Sequence, residues 1–141
     1  MVEKFIKAAA GIAGAAVGFP GGWNVLLTVL ALLMAADYIT GLVVAWRGRS
    51  PKSENGGMSS RAGFDGLLRK GFIVVIVLVA TVLDRATGSG NMVFQTACTC
   101  YYIANEGLSI VENAALMGVP VPDGLKKALE IYRERGDMDE N

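Results

Sequence analysis

Three stretches of this chain, residues 8–46, 71–83 and 86–118, contain between them only three charged side chains: Asp37, Glu106 and Glu112. The other charges crowd into the short segments that separate or flank these stretches. A soluble fold scatters charge along the outer face of every amphipathic element. Lipid imposes segregation instead, because a charged side chain at the centre of a bilayer costs about 2.5 kcal/mol or more. The expected fold class is therefore all-α: an integral membrane protein with three to four transmembrane segments and a short amphipathic cytoplasmic tail. A membrane domain is expected over residues 1–120 and a charged C-terminal tail over 121–141.

Composition narrows the chemistry. The 141 residues contain no His, which removes the usual general base, the commonest zinc ligand and the physiological pH switch. Thirteen basic residues balance thirteen acidic ones, so the electrostatic footprint of a nucleic-acid binder is missing. Cys98 and Cys100 stand two apart in an apolar stretch, a poor metal site and a sterically poor disulfide, and read as buried thiols. Gly88-Ser89-Gly90 lacks the Lys and the spacing of a phosphate loop. No catalytic residue, cofactor or metal is expected.

Four segments follow from hydropathy and its interruptions. The first, residues 5–19, is built from Ala and Gly, and Ala10, Gly14 and Gly18 recur every four residues as a close-packing face. Three readings are open for it: a short membrane helix packed on neighbours, a helix lying on the membrane surface, or a cleaved signal peptide with Lys4 and Lys7 as its basic start. The second, Trp23 to Trp46, is 24 residues, about 36 Å as a helix, with a tryptophan at each end to match the interfacial aromatic belt. The third, 64–83, has a charge-free part of 13 residues, about 20 Å, extended by Phe64, Leu67 and Leu68. Arg69 and Lys70 are expected to snorkel from it to the head groups. The fourth covers 91–118, and Pro120 and Pro122 end it.

Residues 47–70, including Arg47 and Arg49, carry six positive and two negative charges, which keeps this loop cytoplasmic under the positive-inside rule. Segment two then runs outside to inside, three returns, and four comes back in, leaving the tail in the cytoplasm. Within the tail Leu125, Leu129 and Tyr132 share one side of a short amphipathic helix, and the acidic residues 137–141 are expected to be disordered.

Polar residues inside membrane segments must face protein, a cavity or another copy. Asp37 is read either as a helix-packing group, bonded to Thr40 or a neighbour's hydroxyl, or as a lumen-facing or subunit-bridging carboxylate; Gly41 below it allows close approach. Asn105, Glu106, Ser109, Glu112 and Asn113 fall at offsets 0, 1, 4, 7 and 8, on one helical face. That face lines a multimer if segment four spans. It is solvated if the helix leaves the bilayer near Tyr101-Tyr102.

Several motifs occur in a fixed order. D-Y-I-T-G at 37–41 is followed by S-S-R-A-G-F-D-G-L-L-R-K at 59–70 and a hydrophobic stretch closing on Asp84. Y-Y-I-A-N-E-G-L-S-I-V-E-N at 101–113 and a P-V-P complete the series. This order and spacing resemble the phage holin family related to the clostridial toxin-secretion holins, over about residues 23–125; the N-E-x-L-S-I-x-E-N run is the specific part. The resemblance implies a small phage-encoded protein that accumulates in the host cytoplasmic membrane. There it oligomerises into lesions that release a cell-wall hydrolase (endolysin) or a toxin, with Asp37, Asn105, Glu106, Ser109, Glu112 and Asn113 as packing or lumen groups. The alternatives are a non-lytic membrane scaffold or an antiholin acting on a partner holin; a small-solute carrier fits poorly without paired repeats. On any of these readings the protein is expected to stay with the membrane fraction until detergent is added; recovery as a freely dissolved monomer would contradict the membrane assignment.

Overall fold

The computed structural model describes residues 1–18, 23–88 and 90–139. The chain forms five helices and, among the described residues, no strand: α1 (Val2–Val17), α2 (Val25–Trp46), α3 (Ser60–Ala86), α4 (Val93–Leu116) and α5 (Asp123–Asp139). The Pro20-Gly21-Gly22 break after α1 and Ser89 in the α3–α4 turn lie outside the described residues.

Helix starts follow capping chemistry. Asn24 caps α2 by accepting from the Leu27 N–H at 3.0 Å, and Ser59 caps α3 by accepting from the Ala62 N–H at 3.3 Å. Two helices end in the same way. Gly48 and Gly118 take left-handed φ values of +69° and +80°, and paired bonds close each end. Gly48 N–H bonds Ala45 O and Arg49 N–H bonds Val44 O; Gly118 N–H bonds Ala115 O and Val119 N–H bonds Ala114 O. This geometry satisfies the last carbonyls and favours glycine, which has no Cβ to clash.

Helix α4 is the hub. It packs against α2, α3 and α5, whereas α2 and α3 touch each other only sparingly. Asn24 near the start of α2 meets Gln95 near the start of α4, so these helices run parallel, with α3 antiparallel between their ends. One stripe of each helix is buried: Leu27, Leu30, Asp37 and Val44 on α2, and Ile73, Val77, Thr81 and Asp84 on α3. Leu27, Leu30, Ile73 and Val77 form the apolar core, with Met34, Cys98, Tyr102 and Ile103 against it.

The outside of α2 and α3 is greasy. Leu32, Ile39, Val43 and Trp46 on α2, and Phe72, Val74, Val75, Ile76, Val79 and Val82 on α3, are exposed. Both helices are long and apolar enough to cross a membrane. A core helix of a soluble protein would have buried that surface against protein, so these exposed apolar faces mark a membrane protein.

Two expectations need correction here. The small-residue face of α1 packs on nothing in this chain: α1 contacts no other helix among the described residues, and Gly14 meets nothing within 4 Å. Ala10 and Gly18 are likewise exposed. The tail forms the expected helix, and α5 doubles back along α4. Gly107 leaves room for it there, since a Cβ at that position would lie 3.1 Å from Leu129 Cδ2. Residues 137–139, expected to be disordered, continue α5, while 140–141 and the Tyr132 side chain lie outside the described set.

The far ends of α3 and α4 are joined by a cap supplied across the turn. The carboxylate of Asp84, fully buried, accepts from the Phe94 N–H at 2.9 Å and the Gln95 N–H at 2.7 Å. Gln95 in turn donates to Thr81 Oγ1 at 2.8 Å and accepts from Asn24 Nδ2 at 2.9 Å. Asp84 thereby takes the place of a side-chain cap that Met92, the N-cap residue of α4, does not provide. Asp84→Ala should cost about 0.5–2 kcal/mol, as for loss of an N-cap, and Asp84→Asn less; thermal unfolding in detergent checks the order. Gly107→Val should free α5 and speed proteolysis after residue 120 while α2–α4 remain resistant.

Candidate functional site

A little past the middle of α2, on its buried stripe, Asp37 points into the bundle. Opposite it stands Lys70 of α3, with Glu106 of α4 completing a triad. Lys70 Nζ lies 2.8 Å from Asp37 Oδ2 and 2.5 Å from Glu106 Oε2. The three side chains are 13%, 11% and 5% exposed, so this is a buried charge cluster rather than a surface ion pair. One ammonium bridges two carboxylates, and each comes from a different helix.

Asn113, one face-repeat below Glu106 on α4, extends the cluster. Its Nδ2 lies 2.9 Å from Thr40 Oγ1, 3.3 Å from Asp37 Oδ1 and 3.4 Å from Asp37 O. Thr40 Oγ1 itself donates back to Ala36 O at 2.8 Å. Gly41 gives Asn113 its space, since a Cβ there would sit 3.8 Å from Asn113 Nδ2. An open cleft between α2 and α3 leads to this cluster, and Asn105, Ser109 and Arg69 also line it.

The residues singled out from sequence thus divide. Asp37, Glu106 and Asn113 are brought together by hydrogen bonds, and Asn105 and Ser109 line the same cleft half-buried. Glu112 is exposed and outside it, since it lies about 100° around α4 from the buried direction shared by Glu106 and Asn113. Among the charged residues at the loop end, Arg49 donates to Leu116 O at 3.3 Å across the end of α4, Arg47 is exposed, and Arg69 is exposed at the cleft mouth. Trp23 donates to Thr28 Oγ1 at 2.6 Å, and Trp46 is 74% exposed.

Lys70 is the correction. Expected to snorkel outward with Arg69, it turns inward. The reason is periodicity: positions 70, 73, 77, 81 and 84 fall on one face of α3, the face that α4 buries, and position 69 does not. That spacing was present in the sequence. The adjacent Arg-Lys pair hid it by looking like an interfacial anchor. The Asp84–Gln95–Thr81–Asn24 network was also missed as a unit, since only the fold joins four residues from three helices.

The bacteriophage holin family matches residues 14–134. The chain belongs to that family. It is 33% identical over 112 residues to a probable holin of Bacillus phage phi105, covering 79% of this chain and 77% of that one. An uncharacterised protein of Halalkalibacterium halodurans is 38% identical over 138 residues, covering 94% and 96% of the two chains. An uncharacterised 14.9 kDa protein of Clostridium perfringens is 38% identical over 110 residues, 78% of each. No solved structure matches. The holin family is not a family of enzymes. Among the described residues no group of three or more His, Cys, Asp or Glu is arranged to hold a metal ion.

Removing one partner from a buried ion pair costs about 3–5 kcal/mol, because the remaining charge is stranded. Glu106→Ala should therefore destabilise the bundle far more than Glu112→Ala, whose carboxylate is exposed, with Glu106→Gln between them; unfolding in detergent measures the ranking.

Proposed function

We propose that this chain is a holin that accumulates in the cytoplasmic membrane of its bacterial host and self-associates into lesions. Through these a cell-wall hydrolase, or a secreted toxin, leaves the cytoplasm. The observation that carries the reading is an inside-out distribution of polarity. Asp37, Lys70, Glu106 and Asp84 lie between helices, and the outer faces of α2 and of α3 over residues 71–83 are apolar. Such a monomer is stable in lipid because its charges are paired away from hydrocarbon, yet it stores the polar groups that a water-filled assembly needs.

Helix α4 crosses as well. Its 24 residues reach about 36 Å. Its modest hydropathy reflects Gln95, Thr99, Glu106 and Asn113, all buried against protein and never facing lipid. With three spans and the basic loop after Arg47 kept inside by the positive-inside rule, the end of α4 and the start of α5 are assigned to the cytoplasmic side. Helix α5 runs back along α4 as far as Gly107, and Lys126, Lys127 and Arg135 are exposed on it. In this assignment Asp37, Asn105, Glu106, Ser109 and Asn113 become lumen or inter-subunit groups in the assembly, with Glu112 at its rim.

Induction in a bacterium should collapse the membrane potential and arrest growth, and co-expression of a cell-wall hydrolase should turn arrest into lysis. Confirmed insertion with unchanged potential would reject the holin reading. Delayed lysis by a second, lytic holin would point to an antiholin. Reporter fusions after Asn141 should report a cytoplasmic C-terminus.

A further inference from the structure

Helix α3 is fastened unequally at its two ends. At the Asp84 end it is tied to α4 by Asp84 accepting from two backbone N–H groups, by the Gln95–Thr81 bond and by the short connection from Thr87 to Met92. At the opposite end the connection to α2 is long, residues 47–59, and direct contact between α2 and α3 is sparse. The cleft opens there. Tyr38 rests against Gly63 and Gly66, and the strong polar tie is Lys70 on Asp37 and Glu106. Helices α2 and α4, by contrast, are held to each other at both ends without α3, through Asn24–Gln95 and through Asn113 on Asp37 and Thr40.

Resting on the holin reading, we propose that Lys70 is a latch: it holds α3 closed over the polar faces of α2 and α4, and lesion formation requires α3 to swing out about its Asp84 end. The latch makes opening conditional on assembly. In a lone molecule, release exposes one ammonium and two carboxylates to hydrocarbon, which opposes it. In an assembly whose interior admits water the same three groups are hydrated on release, and the opposing cost disappears. Opening then frees Asp37 and Glu106, which the closed molecule satisfies through Lys70 and so cannot offer to a lumen or a second copy. Lys70 acts as a positioning residue, because it sets where α3 sits.

The test is the time from induction to loss of membrane potential, at membrane accumulation matched by immunoblot, for the full chain. Lys70→Met strands two carboxylates against each other. It should raise the open population by roughly a hundredfold and bring collapse earlier than in the wild type. Exchanging the charges, Lys70→Glu with Glu106→Lys, keeps the 70–106 pair and still leaves one ammonium among two carboxylates, so it should move the timing back toward the wild type, a rescue that loss of packing alone does not give. If Lys70→Met fails to accumulate, Glu106→Gln provides the same test, with a smaller advance in the same direction. Wild-type timing in every single variant, or an exchange no better than its single changes, overturns the latch. A wild-type chain that inserts but never depolarises the membrane overturns the holin reading instead, so the two failures are distinguishable.

Discussion

One ammonium held between two carboxylates in a low-dielectric interior is the constraint around which this bundle is arranged. Charges taken out of water are tolerated only when paired and hydrogen-bonded, and the geometry has to be supplied by the surrounding helices. Asp37, Lys70 and Glu106 come from three helices, so the triad exists only when α2, α3 and α4 are in register. It therefore acts as a register device: slipping any helix by one residue turns its member out of the bundle. The apolar core of Leu27, Leu30, Ile73 and Val77 is small by comparison, and such side chains would accept several registers with little change in burial.

The second polar layer works in the same way at the opposite end. Asp84 caps a helix to which it does not belong, and Gln95 bridges α3 to α2. Between the two layers the contacts are mainly apolar. In lipid the hydrophobic effect gives helices no preference for one another over acyl chains, so specificity has to come from packing and from interhelical hydrogen bonds. Two polar layers flanking an apolar middle meet that requirement. They also leave the outer faces of α2 and α3 free of charge over the stretches that face lipid.

The position of α4 explains why its sequence is hard to assign. Helix α4 is packed by three others and carries a polar stripe because that stripe faces partners; on the three-span proposal such a helix need not be apolar to stay in a membrane. Hydropathy averages over faces and so underrates such a helix. The same averaging made Lys70 look like a boundary residue, although its place on the 70–73–77–81–84 stripe already distinguished it from Arg69.

The sequence by itself determined the medium and the all-helical class, and its local signals lie close to the helix ends. Charge segregation acts through solvent, and Asn24, Ser59, Gly48 and Gly118 close helix ends through bonds within a few residues, so these features depend little on distant contacts. It also placed Asp37, Glu106 and Asn113 among the residues of interest, because a polar group in an apolar helix stands out without any fold. Only the tertiary structure decided which of these groups meet, that Lys70 completes them, and that α1 stands apart while α5 folds back on α4. Pairing energy depends on a few ångströms between residues more than thirty positions apart, and that separation is set by how helices pack.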